Sequence, residues 1–214
     1  MTATPITDGR RARGATTRRA ILGKAMQLAS TGGLEDLSIA GLAGELGMSK
    51  SGLFAHFGSK EELQLSTVRA ARRVFHDGAI VPALDVEPGI ARLHALLTAW
   101  FTYIDSDTFK GGCFLMEAAA EFDNRPGAVR DLVAETMAMW MRLLVEQAGA
   151  AVDAGELERG ADAEQLAWEL HAFGLGLNWD RQLNDSPRAR ERARTAIESR
   201  LRSAATAKGR RRLP

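Results

Sequence analysis

The stretch IAGLAGELGMSKSGLFAHFG, residues 39–58, decides the fold. It reads as two short apolar-periodic segments parted by a glycine. Ala43 is small where a second helix must cross the first, and Gly47, four residues on, stands where the chain must turn through a left-handed residue. Leu42, Leu46, Met48 and Leu53 supply the apolar wedge between the two helices. These are the steric requirements of a helix-turn-helix, whose second helix can enter a major groove. The pattern by itself also fits an ordinary pair of packed helices. Three neighbours favour the first reading: a helix upstream that can brace the pair, a basic segment before it, and Lys60 at the start of a further helix. There an ammonium and free amide groups can meet one phosphate.

Working outward, helical periodicity dominates and no alternating strand pattern is found. A first helix is expected from Thr17 to Ser30, with Ile21, Leu22, Ala25, Leu28 and Ala29 on one face. Ser38 and Ser49 read as caps of the next two, and Ser59 with Glu62 has capping-box spacing for a fourth. Beyond it, helices are expected at 90–104, 113–123, 128–151, from Asp162 to Leu183, and after Pro187, nine in all.

The bounds agree with a helical protein that handles a polyanion. The chain has 214 residues, 45% hydrophobic and 26% charged, enough for one or two globular domains. Its longest uncharged run, 93–104, falls far short of the ~18 apolar residues of a membrane span. With a polar N-terminus and no signal-peptide pattern, a cytoplasmic site and no membrane partner are expected. One cysteine, Cys113, precludes an intramolecular disulfide. Net charge is +1, yet residues 1–60 carry eight basic groups against four acidic ones, leaving about −3 for the rest. The basic end KGRRRLP, residues 208–214, is expected to be a solvated tail. No Gly-rich phosphate loop, HExxH or GxSxG is found, and His56, His76, His94 and His171 lack metal-ligand spacing. No catalytic residue, metal or cofactor is expected.

The segment LFAHFGSKEELQ, residues 53–64, resembles the end of the DNA-binding domain in the TetR family of bacterial transcriptional regulators. The likeness is motif-level over residues 16–65 and architectural beyond. It implies an all-α fold: an N-terminal three-helix helix-turn-helix domain (16–60) after a basic disordered arm (1–15), then a helical effector-binding and dimerisation domain (61–204) and the tail (205–214). It also implies a homodimer that binds near-palindromic double-stranded DNA and is released by a small-molecule effector. Carried over by position, Lys50, Ser51 and Gly52 open the reading helix and are the candidates for base contact. Phe54 stands where the family usually has a phosphate-bonding tyrosine, so it retains only contact with sugar or a thymine methyl. His56 and Lys60 match phosphate contacts, with Thr17 and Ser38 beside the backbone, and Arg11, Arg13 and Arg18 placed to trail into the minor groove. For His56 a half-buried capping role stays open, as do plain solvated charges for the arginines.

The C-terminal half carries most of the four tryptophans and seven methionines. Trp100, Phe101, Tyr103, Cys113, Phe114, Met116, Phe122, Met137 and Trp140 fall on segments that surround a ligand cavity in this family, with Glu117, Glu121 and His171 as polar groups able to orient an effector. Such walls suit an apolar or aromatic ligand, although each residue taken singly fits a plain core better than a pocket. The helix from Asp162 is apolar on two faces: Leu166, Leu170, Phe173 and Leu177, and Trp168, Ala172, Leu175 and Trp179. With Ile197 and Leu201 of the last helix it fits a four-helix dimer interface, Gly174 and Gly176 permitting close approach. A helical ligand carrier without operator binding, suggested by Phe54, is the alternative function.

Overall fold

The computed structural model describes residues 6–106 and 108–214, with side chains from residue 12 onward, so Arg10 and Arg11 of the basic segment lie outside the described side chains. Ten α-helices are found among the described residues: α1 (Ile6–Gly32), α2 (Ile39–Glu45), α3 (Lys50–Phe57), α4 (Lys60–Phe75), α5 (Ile90–Asp105), α6 (Phe114–Phe122), α7 (Ala128–Asp153), α8 (Ala163–Asn184), α9 (Ala189–Ala204) and α10 (Ala207–Arg210). A π turn (His76–Ile80) and a 3₁₀ turn (Val81–Ala83) join α4 to α5. No helix among them is long and apolar enough to cross a membrane.

The caps were legible one by one. Ser38, Ser49, Ser59 and Asp162 each accept a hydrogen bond from the backbone N–H three residues on, satisfying an orphan donor of the first turn. Gly47 makes its turn at φ +61°, a conformation that a β-carbon would strain. Ile21, Leu42, Ala43, Leu53 and Leu63 close into the small core of the head formed by α1 to α3 and the start of α4. In the body, α5 is the central post: Leu93, Leu96, Leu97 and Trp100 are buried on it. The π turn, α7, α8 and α9 pack around this post. Burial of each such leucine stabilises the fold by about 1.5–3 kcal/mol.

Two expectations fail at the ends. Helix α1 starts at Ile6 rather than Thr17, so residues 6–15, expected as a disordered arm, form its first turns. The region carries no apolar stripe, and periodicity has nothing to count there. Residues 205–214 are folded as well. Thr206 caps α10 and bonds back to the carbonyls of Gly155 and Glu156, and Gly209 lies directly against the Glu156 carbonyl. Arg212 Nε reaches the buried Glu156 carboxylate at 3.4 Å. The other oxygen of that carboxylate accepts from Ile90 N at 2.9 Å, capping α5. The C-terminal residues therefore clasp the far end of the central helix. Arg212→Ala leaves a buried carboxylate without its cation and is expected to lower stability by about 1–3 kcal/mol in a thermal melt, whereas a solvated tail would show no change.

Candidate nucleic-acid interface

Helix α3 is set so that its inner side holds the head together and its outer side is bare. Leu53 and Phe57 are buried, whereas Lys50, Ser51 and Phe54 are exposed, Phe54 by 52%. Lys50 and Phe54, four residues apart, share one face. The Ser49 hydroxyl accepts from Gly52 N at 3.1 Å, so the first turn of α3 is capped and its remaining amides point outward. Lys50 has no ion pair among the described residues. Thr17 and Ser38 are exposed at the head surface, but the Ser38 hydroxyl is engaged in capping α2.

Arg18 is not a trailing arm residue. Its guanidinium donates to the His56 carbonyl and, at 2.8 Å, to Ser66 Oγ, and it lies 4.4 Å over the Phe57 ring. One side chain of α1 thereby pins the end of α3 to α4. Ser66 in turn donates to Glu62, which pairs with Arg69. His56 is half-buried beside Phe57. Arg13 lies exposed on α1.

Lys60 is exposed at the start of α4, as a phosphate contact requires, but its ammonium is 2.7 Å from Glu35. The Lys60 hydrogen bond, helped by Gln64 and by the positive charge of Arg125, holds the Glu35 carboxyl below its ordinary range. A phosphate arriving here competes with a carboxylate already in place.

The head is also tied to the body. Glu121 of α6 accepts from the backbone N–H groups of Leu34 at 2.7 Å and Glu35 at 2.9 Å, in the loop between α1 and α2. Gln27 of α1 donates to the Thr108 carbonyl at 2.7 Å. At its other end α6 is fixed by Asn178 of α8, which donates to Glu117 and accepts from Cys113 N, both at 2.9 Å. Glu121 and Glu117, expected to orient a ligand, are structural bonds of this junction. Phe122 sits at the same junction beside Arg125, where it lines a cleft of about 290 Å³ with Glu35, Gln64 and Arg125.

In the body the structure brings together Trp100, Tyr103, Phe114, Trp140 and His171, and adds Phe75 and Phe109, which sequence reasoning did not single out. His171 stacks parallel on Trp100 at 5.2 Å, Trp140 lies 5.2 Å from Trp100, and Phe75 meets Tyr103 and Trp140 edge-on at 5.5 and 5.3 Å. Met116 is buried and Met137 half-buried. Cys113 is buried, and burial pushes its thiol up to about 11, so it stays protonated. A cavity of about 430 Å³ opens between α4, the π turn and α7, with Phe75, Ile80, Met139 and Trp140 as its apolar wall and Arg72, Arg73, His76, Glu135 and Thr136 as its polar lining.

The face of α8 expected to make a dimer is rearranged. Leu177, Ile197 and Leu201 are buried within the subunit, Phe173 is half-buried against its core, and Gly174 faces Trp100. The exposed apolar row is Trp168, Leu175, Trp179 and Leu183, at helical spacing.

Comparison with known proteins agrees with this architecture. The family profile described as "Bacterial regulatory proteins, tetR family" matches residues 21–66, and "Tetracyclin repressor-like, C-terminal domain" matches residues 89–197. A TetR transcriptional regulator from Chloroflexus aurantiacus superposes with a TM-score of 0.83 at 22% identity, over 91% of this chain and 98% of that one. One from Cytophaga hutchinsonii gives 0.80 at 17%, over 92% and 98%. AibR, solved with isovaleryl coenzyme A and operator DNA, gives 0.66 at 21%, over 84% and 94%. No curated protein matches the chain by sequence.

Glu35→Gln removes the carboxylate that occupies Lys60. Duplex affinity at low salt, read by fluorescence anisotropy, is expected to rise by a factor of roughly 2–5, in keeping with an exposed ion pair worth under about 1 kcal/mol. A fall would mean that Glu35 holds Lys60 in its DNA-binding position.

Proposed function

Because the chain belongs to the TetR family of bacterial transcriptional regulators, we propose that it is a cytoplasmic, ligand-responsive repressor. As a homodimer it places its two α3 helices in successive major grooves of a near-palindromic operator. A small apolar or aromatic effector entering the body releases it. The observation that carries this reading is the outer face of α3, where an unpaired lysine, a serine, a capped turn with outward amides and a bare phenylalanine stand together on a rigid helix. Amides and Lys60 position the backbone, and Lys50 reads base edges, with guanine its natural partner. Phe54, without a hydroxyl, packs on sugar or a thymine methyl. The fold relative AibR, crystallised with both a small molecule and operator DNA, supports the pairing of the two activities.

Release is a population shift. Helix α4 begins at Lys60 in the head and ends at Phe75 among the body's aromatic rings, so a ligand that moves Phe75 moves the helix that carries the head. Glu121 transmits any displacement of α6 to the α1–α2 loop. A body that favours a head spacing away from the ~34 Å of one helical turn no longer fits both half-sites.

Salt titration of duplex binding separates this reading from a ligand carrier. A regulator loses affinity steeply as salt rises, with a log–log slope set by the phosphates it neutralises; a carrier binds no duplex. Lys60→Ala is expected to weaken binding to all duplexes alike and to flatten that slope by about one. Lys50→Ala is expected to cost about 1–3 kcal/mol at one base pair and to relax preference there.

The second copy is expected on the exposed row of α8. Trp179→Glu should give a folded monomer in sedimentation, whereas Leu177→Ala, inside the subunit, should leave the dimer intact and lower stability by about 2–5 kcal/mol.

A further inference from the structure

Three hydrogen-bond donors are buried in the body's ring cluster with nothing to donate to. Trp100 Nε1, Trp140 Nε1 and the Tyr103 hydroxyl have no partner, and all three side chains are at least nine-tenths buried. His171 Nδ1, in the ring stacked on Trp100, is a fourth unpartnered atom. The Trp100 N–H is directed toward the Cys113 sulfur, a weak acceptor that does not complete a bond by geometry. An indole N–H can only donate, and native interiors hold few unsatisfied groups, so a concentration of surplus donors in one cluster calls for an acceptor from outside the chain.

We infer that this aromatic chamber takes an uncharged, flat ligand bearing an acceptor oxygen, a ketone, ester or ether on an aromatic frame. The inference rests on the reading of the body as the effector site and names the effector's class. Rings at 5.2–5.5 Å already touch one another, so a planar guest is seated by displacing a ring and then meets the edges and faces of those that remain. A pure hydrocarbon would fill the space and leave the donors orphaned. A carboxylate finds no cation inside, because no lysine or arginine is buried among the described residues, and burial lowers the pKa of His171, keeping it neutral. Within the ring cluster a cation finds no anion either: Glu117 is exposed and bonded to Asn178, and Glu135, the carboxylate that lines the entry cavity, is exposed and lies 3.9 Å from Arg72.

Entry is through the cavity between α4 and α7, whose inner wall is Phe75 and Trp140. Trp100 lies behind Trp140 and cannot retreat, since its ring is pressed on the α8 backbone at Gly174, where a β-carbon would meet Cζ3 at 2.1 Å. The rings that give way are therefore Phe75 and Trp140, and Phe75 is the last residue of α4.

The test uses the full-length homodimer, ¹⁵N-labelled at indole nitrogens, with three tricyclic probes of one shape: 9-fluorenone, fluorene and the N-methylacridinium cation. Fluorenone is expected to bind saturably, to move the Trp100 and Trp140 indole N–H resonances downfield, and to bind at least ~10-fold more tightly than either other probe, the scale of one satisfied buried donor. Trp140→Phe should retain fluorene binding and lose most of the ketone's advantage; Tyr103→Phe serves the same purpose should that variant not fold. Equal binding of fluorene, tighter binding of the cation, or indole resonances unmoved at the ketone's solubility limit would overturn the inference. Operator release by fluorenone is scored separately. Ketone-selective binding without release upholds the chamber chemistry and sinks the effector-site reading.

Discussion

The carboxylate of Glu121 is the bidentate tie between the helix-turn-helix head and the half of the molecule that encloses the aromatic rings, and Gln27 adds a bond to the Thr108 carbonyl beside it. Glu121 accepts two consecutive backbone N–H groups of the α1–α2 loop, at 2.7 and 2.9 Å. Hydrogen bonds to a charged acceptor are stronger than neutral ones, and two side by side fix direction as well as distance. The loop they hold leads straight into α2 and the reading helix. Helix α6, which carries Glu121, is bonded at its other end to Asn178 of α8. The head therefore has three mechanical references in the body: α4 by chain continuity, α6 by this bond, and the loop after α5 by the Gln27–Thr108 bond. Of the two bonded ones, only Glu121 grips the loop that leads into α2.

Within the head, charge is mostly used internally. Arg18 fastens the end of α3 to α4, Lys24 pairs with Glu45 at 2.9 Å, and Lys60 pairs with Glu35. The local positive excess of the sequence is thus not a bare basic surface. What faces outward is Arg13 and Arg19 on α1 together with the groups on and beside the first turn of α3. A phosphate at Lys60 would exchange one ion pair for another, so such a contact would add alignment more than affinity.

The head was legible in the sequence because its requirements are steric and local: a small residue at a crossing, a glycine at a turn, serines at caps. Ser38, Ser49, Ser59, Ala43 and Gly47 each say one thing, and each stands where expected. Arg18 was misjudged because an arginine before a helix-turn-helix looks alike in sequence whether it points to solvent or to a carbonyl. The C-terminal clasp was hidden for a related reason: Arg212 and Gly209 acquire meaning only opposite Glu156, over fifty residues away. Periodicity found both apolar faces of α8 but not which was inward. Leu177 went to the core and Trp179 to the surface, a choice made by where α5, α7 and α9 sit. The aromatic composition of the body was plain, yet the unpartnered donors depend on side-chain placement that no spacing encodes.

The coupling of head to body through Glu121 is tested most directly by the distance between the two heads. Spin labels placed at Ser51→Cys in the homodimer, where the buried Cys113 resists labelling, report that distance by double electron–electron resonance. With Glu121 present the distribution should be narrow; in Glu121→Ala it should broaden or shift while the dimer and its helix content persist. An unchanged distribution in that variant would show that α4 and the Gln27–Thr108 bond set the heads without Glu121, and would contradict the account.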